Sequence, residues 1–154
     1  MNIKILQIES YLAVIKNSLG SKIFNNLWAE VDGEKKDILD DGRKSCGYFT
    51  SGILLWFGLI KERHATVSGT LRDMKNSGWE EIPEPKIGAV LHWDKELGNG
   101  EINEHVGFYM GDNLAISTSA KNQMPTEHHW TYGEENGQPK RKVIAIYWHP
   151  RLNS

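Results

Sequence analysis

An α+β fold in a single domain is what the sequence predicts, and two observations predict it. Apolar residues recur at helical spacing through the first half, and short β-branched or aromatic runs split by turn residues fill the second. Helices gathered before strands argue for one mixed layer structure rather than alternating parallel βαβ units. A chain of 154 residues can bury a core without disulfide or metal staples.

Each element follows from its pattern. Ile5, Ile8, Leu12, Ile15 and Leu19 step by three and four, one apolar stripe of a helix that Gly20 stops. Ser21 caps a second short helix running through Leu27 and Trp28. "EVDGEKKDILDDGRKS" is rich in Asp, Gly and Lys and is read as loop, with room for a helical turn near Ile38 and Leu39. From Cys46, the residues Phe49, Ile53, Phe57 and Ile60 recur at helical spacing, widened by Leu54 and Trp56, which predicts a buried central helix. "TVSGTLRDMKNSGW" predicts another, with Leu71 and Met74 inward and Gly78 as its stop. "GAVLHW", "HVGFYMG", "LAISTS" and "KVIAIYWH" predict strands of one antiparallel sheet. "KELGNGEINE" and "NQMPTEHHWTYGEENGQPKR" are read as long polar connections, of the kind that usually carry function in a compact domain. The domain is expected to span 1–154, with 1–40 as an N-terminal helical extension and 41–150 as the core.

Composition narrows the function classes. A formal net charge of −2 argues against general nucleic-acid binding. The longest apolar run, "GILLWFGLI", is far short of the roughly 20 residues that span a bilayer. The first 20 residues lack a signal-peptide layout, so the expected location is cytoplasmic by default, with signal-independent export or phage-type release as other routes. One cysteine excludes an internal disulfide framework. No Cys-x-x-Cys or His-x-x-x-His spacing marks a metal site, and no cofactor is expected.

That cysteine, Cys46, heads the central helix, where free N–H groups and the helix dipole favour a thiolate and depress its pKa. The same N–H groups could hold an oxyanion. His105, at the start of a strand after a loop, is the candidate base. The plain alternative is a buried structural thiol, because free cysteine is among the most buried residue types. His128 and His129 are adjacent, so on a strand they face opposite ways. Their segment either lies exposed or folds over a cleft with Trp130 or Tyr132 as a wall. His64 is read as capping or packing a helix end.

Taken together, Ser45-Cys46-Gly47-Tyr48-Phe49, then Gly88-Ala89-Val90-Leu91-His92-Trp93, then His105-Val106-Gly107-Phe108-Tyr109-Met110-Gly111 resemble the NlpC-type peptidases of the papain-like cysteine peptidase superfamily. The order and spacing agree over about residues 40 to 120. The resemblance implies a papain-like fold, with N-terminal helices and a Cys-bearing central helix on an antiparallel sheet. It implies that Cys46 is the nucleophile and His105 the base, with Ser117 at the position of the residue that orients the histidine. Thr118, Asn122, His128 and His129 are the other candidates for that third role. Tyr48, Trp93, His129 and Trp130 are the candidate substrate-binding residues. Ser45 and Ala89 stand where the family often has Asp, which marks a divergent member.

The implied activity is hydrolysis of a peptide or isopeptide bond through a cysteinyl thioester, on a peptide or peptidoglycan-derived substrate. The alternative is a papain-like binding or scaffold module that has lost catalysis.

Overall fold

The structure is a computed structural model that describes residues 1–95 and 103–153. The described residues form three α-helices and a six-stranded antiparallel sheet, so the α+β prediction holds. No helix among the described residues is long and apolar enough to cross a membrane.

Helix α1 (Gln7–Asn17) is shorter than its sequence stripe. Tyr11 and Ile15 are its fully buried residues, whereas Ile5 stands outside the helix and exposed. Tyr11 fixes the helix because its hydroxyl donates to Gly88 O at 2.7 Å and its ring meets Phe57 and Phe108 edge-on. The N-terminal helix thus contributes Tyr11 and Ile15 to the core cluster.

The short helix expected after Ser21 does not form. Trp28 begins strand β1 (Trp28–Val31), which pairs with β2 (Glu34–Asp37) in a hairpin. Asp32 and Gly33 turn it with φ of +52° and +81°, the two left-handed positions a tight hairpin needs. The segment read as loop thus carried an Asp-Gly hairpin signal. Asp37 then ties the chain down by accepting from the backbone N–H groups of Leu27, Leu39 and Asp41.

Helix α2 (Cys46–Trp56) is the central helix, as expected, but ends before Ile60 because Gly58 takes φ +65°. Phe49, Ile53 and Leu54 are buried, while Trp56 is exposed instead of widening the core face. Phe49 packs edge-on against Phe24 and Phe108, which joins the helix to the sheet. Helix α3 (Val67–Asn76) forms where predicted. Thr66 caps it, Met74 is buried, Leu71 is half-buried and Gly78 follows its end at φ +96°.

After a two-residue strand β3 (Glu80–Glu81), the predicted strands appear as β4 (Val90–Trp93), β5 (His105–Gly111) and β6 (Leu114–Ser117). Two more elements replace the second long connection: β7 (Thr126–His129), and a small hairpin of β8 (Glu134–Glu135) and β9 (Gln138–Pro139). Strand β10 (Val143–Trp148) and a 3-10 turn (Pro150–Asn153) finish the chain. The sheet order is β3-β10-β4-β5-β6-β7. The expected loop at "KELGNGEINE" falls mostly on residues 96–102, outside the described residues.

Register sets what each face carries. Trp93 lies opposite His105, and Gly107 lies between Leu91 on one side and Ser117 on the other. A Cβ on Gly107 would fall 2.7 Å from Ser117 Cβ and 3.1 Å from the Trp93 ring, so only glycine fits there. Val106 and Phe108 alternate to the opposite face, where Phe108 meets α2. His105, Trp93 and Ser117 thus share a face that the 130–132 segment covers.

Candidate active site

Cys46 and His105 line one open cavity of ≈1280 Å³, together with Ser117, Thr118, His128, Tyr132 and Arg141. The cavity lies at the sheet end where the first turns of α2 and α3 meet. A Cβ on Gly47 would fall 2.6 Å from Thr66 C and 2.8 Å from Thr66 O, so the two turns are in direct backbone contact. The backbone N–H groups of Val106 and Gly47 point toward the Cys46 thiol, which is half-buried.

The protonation state differs from the sequence expectation. Burial raises the Cys46 pKa above its usual value, and this outweighs the N–H groups of Val106 and Gly47 and the charge of Arg141. Burial also pushes His105 well below the usual histidine range, with Arg141 and His128 adding to the effect. Both shifts favour the neutral thiol and the neutral imidazole over an ion pair. A helix N-terminus favours an anion, but here desolvation of the sulfur wins. Nε2 of His105 is buried with no hydrogen-bond partner, the Cys46 sulfur included.

Ser117 lies on β6 as expected, but its hydroxyl is engaged elsewhere. It sits 2.6 Å from Nε2 of His128 and 3.3 Å from the Tyr132 hydroxyl. Nδ1–H of His128 donates to His129 O at 2.8 Å, so Nε2 is the acceptor and Ser117 the donor. Ser117 does not orient His105 through Nε2. The His128 ring stacks on Tyr132 with centroids 4.1 Å apart, and burial lowers its pKa. Tyr132 adopts φ +62°, a left-handed backbone that is costly for a side chain of this size, and this places its ring over His128 and under Arg141.

The four candidate substrate-binding residues lie outside the cavity wall. Trp93 is fully buried, with its ring against His105 and its Nε1–H donating to Trp130 O at 2.7 Å. Trp130 packs on Tyr109, and Tyr48 packs on the core cluster. His129, on the opposite side of β7 from His128, accepts the N–H groups of Thr131 and Gly133. His128, Tyr132 and Arg141 line the cavity instead. His128 was legible as a third-residue candidate and Tyr132 as a cleft wall. Arg141 carried no local sequence signal.

His64 packs on helix α3, as expected, with Nε2 2.7 Å from Asp73. His92 lies 3.5 Å from Glu104. Among the described residues, no group of three or more His, Cys, Asp or Glu could hold a metal ion. No family model matches this chain, and no curated protein matches it.

Proposed function

We propose that the protein is a cysteine hydrolase that cleaves an amide bond, peptide or isopeptide, with Cys46 as nucleophile and His105 as base. The observation that supports this most is the shared cavity: the chain's one cysteine and a buried histidine whose Nε2 has no hydrogen-bond partner line it together, with the N–H groups of Val106 and Gly47 at the sulfur. His105 takes the thiol proton as the sulfur attacks the carbonyl carbon. The backbone N–H groups hold the oxyanion, and the imidazolium returns its proton to the leaving amine. The expelled amine leaves a thioester, which water hydrolyses with His105 again as base. The sequence resemblance points to peptidoglycan-type peptides as substrates.

Assaying such stem peptides with purified variants tests the proposal. Cys46→Ala and His105→Ala should both abolish turnover, and Ser117→Ala should reduce it less, because Ser117 acts through His128. Full activity in Cys46→Ala would reject the reading.

A second reading has its own support. Neutral partners and an Nε2 that touches no sulfur suit a module that binds peptide and has lost catalysis. It predicts peptide binding by wild type and Cys46→Ala alike, with turnover by neither.

A further inference from the structure

Strand register brings a second hydroxyl and a second imidazole together. Ala115 lies opposite His128 across β6 and β7, and Ser117 is the diagonal neighbour two residues on, so Ser117 and His128 stand on one face. Ser117 is the last residue of β6, at the end of the sheet, and both residues line the cavity.

Their geometry is the one that activates a hydroxyl. A serine is a weak nucleophile until a base lies within about 2.6–3.2 Å, with that base oriented in turn by a third group. Ser117 Oγ lies 2.6 Å from Nε2 of His128. Nδ1–H of His128 donates to His129 O at 2.8 Å, which fixes the tautomer and leaves the Nε2 lone pair facing the hydroxyl. Tyr132 stacks on the ring at 4.1 Å and the Trp93 ring lies 5.8 Å away, so aromatic packing holds the imidazole in this orientation. Ser117 spends its O–H on His128, so the 3.3 Å contact with Tyr132 is a donation from the tyrosine hydroxyl to Oγ. Burial lowers the His128 pKa, and the bond to His129 O only partly offsets this, which favours the neutral, basic ring.

We propose that Ser117 is a second nucleophile of this cavity, with His128 as its base, and that it accepts the acyl group of an ester or thioester small enough to reach the end of β6. The pair works without Cys46, so the proposal goes beyond the cysteine-hydrolase reading and does not rest on it. His128 Nε2 removes the hydroxyl proton as Oγ bonds to the carbonyl carbon. The bond from that carbon to the leaving oxygen or sulfur breaks, and the imidazolium gives its proton to the leaving group. The products are an ester on Ser117 and a free alcohol or thiol, and the step consumes no further reactant. Ser117 is only 1% exposed, so its ester is enclosed and one acylation per chain is expected in place of turnover.

A small fluorophosphonate tests this, because an activated serine displaces its fluoride and keeps the phosphonyl group, which peptide mass spectrometry then locates. One phosphonyl group on Ser117 is expected in the wild-type protein and in Cys46→Ala alike, at a rate roughly 100-fold or more above that of Ser117 in the urea-unfolded chain. Ser117→Ala should lose the adduct. His128→Gln keeps a hydrogen-bond acceptor but no base, and should slow labelling by about 100-fold. If His128→Gln does not fold, the pH profile of the wild-type protein carries the same test. Protonated His128 cannot take the hydroxyl proton, so the rate should rise with pH and level off, with a midpoint below the ordinary 6.5. Arg141, His129 and Glu127 are the charged or titratable groups that act on that midpoint. An unlabelled Ser117, labelling at the unfolded-chain rate, or equal rates in wild type and His128→Gln would overturn the proposal. Amide turnover without a Ser117 adduct rejects this pair and leaves the Cys46 reading standing. A Ser117 adduct in a protein without amide turnover rejects the hydrolase reading and keeps the pair.

Discussion

Replacing Asp73 with asparagine should loosen the wall of the cavity and remove a pH dependence together. Asp73 is buried on α3 and its carboxylate holds the loop before that helix. It accepts from the N–H groups of Lys61 and Glu62 at 3.1 and 2.9 Å, from the Ser77 hydroxyl at 2.8 Å, and lies 2.7 Å from His64 Nε2. Burial alone would push its pKa up, but the hydrogen bonds from His64, Lys61, Ser77 and Glu62 outweigh that and hold it at about 2 against an ordinary 3.8. The gap corresponds to about 2 kcal/mol of folding stability. Because the folded-state pKa is the lower one, this contribution is complete above pH 3.8 and is lost as the pH falls toward about 2. The substituted amide would also turn an NH2 group toward donors, so Asp73→Asn should cost about 3 kcal/mol at pH 7, or roughly 6–12 °C in melting temperature. Urea unfolding of both proteins between pH 7 and 2.5 reads the effect. The difference between them should narrow by about 1.5 kcal/mol as the pH falls from 5 to 2.5. A difference constant with pH would refute the role given to the carboxylate.

Two further measurements probe the site itself. Gly47→Ala should destabilise the protein by about 1–2 kcal/mol despite alanine's better helix propensity, because its Cβ would meet the backbone of Thr66 and Val67 at 2.6–3.0 Å, and neither can yield; a raised melting temperature would contradict the packing described. Iodoacetamide labelling of the free protein should be slow at pH 6 and climb with pH beyond the ordinary thiol midpoint, because burial raises the Cys46 pKa. A fast plateau near pH 6 would instead reveal a resting thiolate–imidazolium pair.

Much of the fold was legible because periodicity and glycine position act locally. The helix from Cys46, the helix from Val67 and four strands of the main sheet follow from side-chain spacing alone. What was misread depends on partners distant in sequence. Thr126 to His129 shows no apolar alternation, yet it forms a strand because the edge of β6 is available to pair with it. Tyr11 displaced Leu12 at the centre of α1 because its hydroxyl finds Gly88 O, 77 residues away. The Cys46 thiolate was expected from the helix end alone, and the sulfur's desolvation by the folded chain reverses it. Trp93 read as a cleft aromatic, but its indole N–H is satisfied by Trp130 O, so it packs inside. Arg141 reaches the site only because β10 runs beside β4. A one-residue motif cannot announce that.

Cys46 and His105 are proposed to work as nucleophile and base in one cavity. Rapid-quench mass spectrometry during hydrolysis of a p-nitrophenyl ester tests it most directly, because any acyl group on sulfur must lie on the one cysteine. A transient acyl adduct on Cys46 with repeated turnover is expected in the wild-type protein, with no adduct at that position in Cys46→Ala and neither fast acylation nor turnover in His105→Ala. An adduct that forms and persists at the same rate in wild type, His105→Ala and the unfolded chain would contradict it.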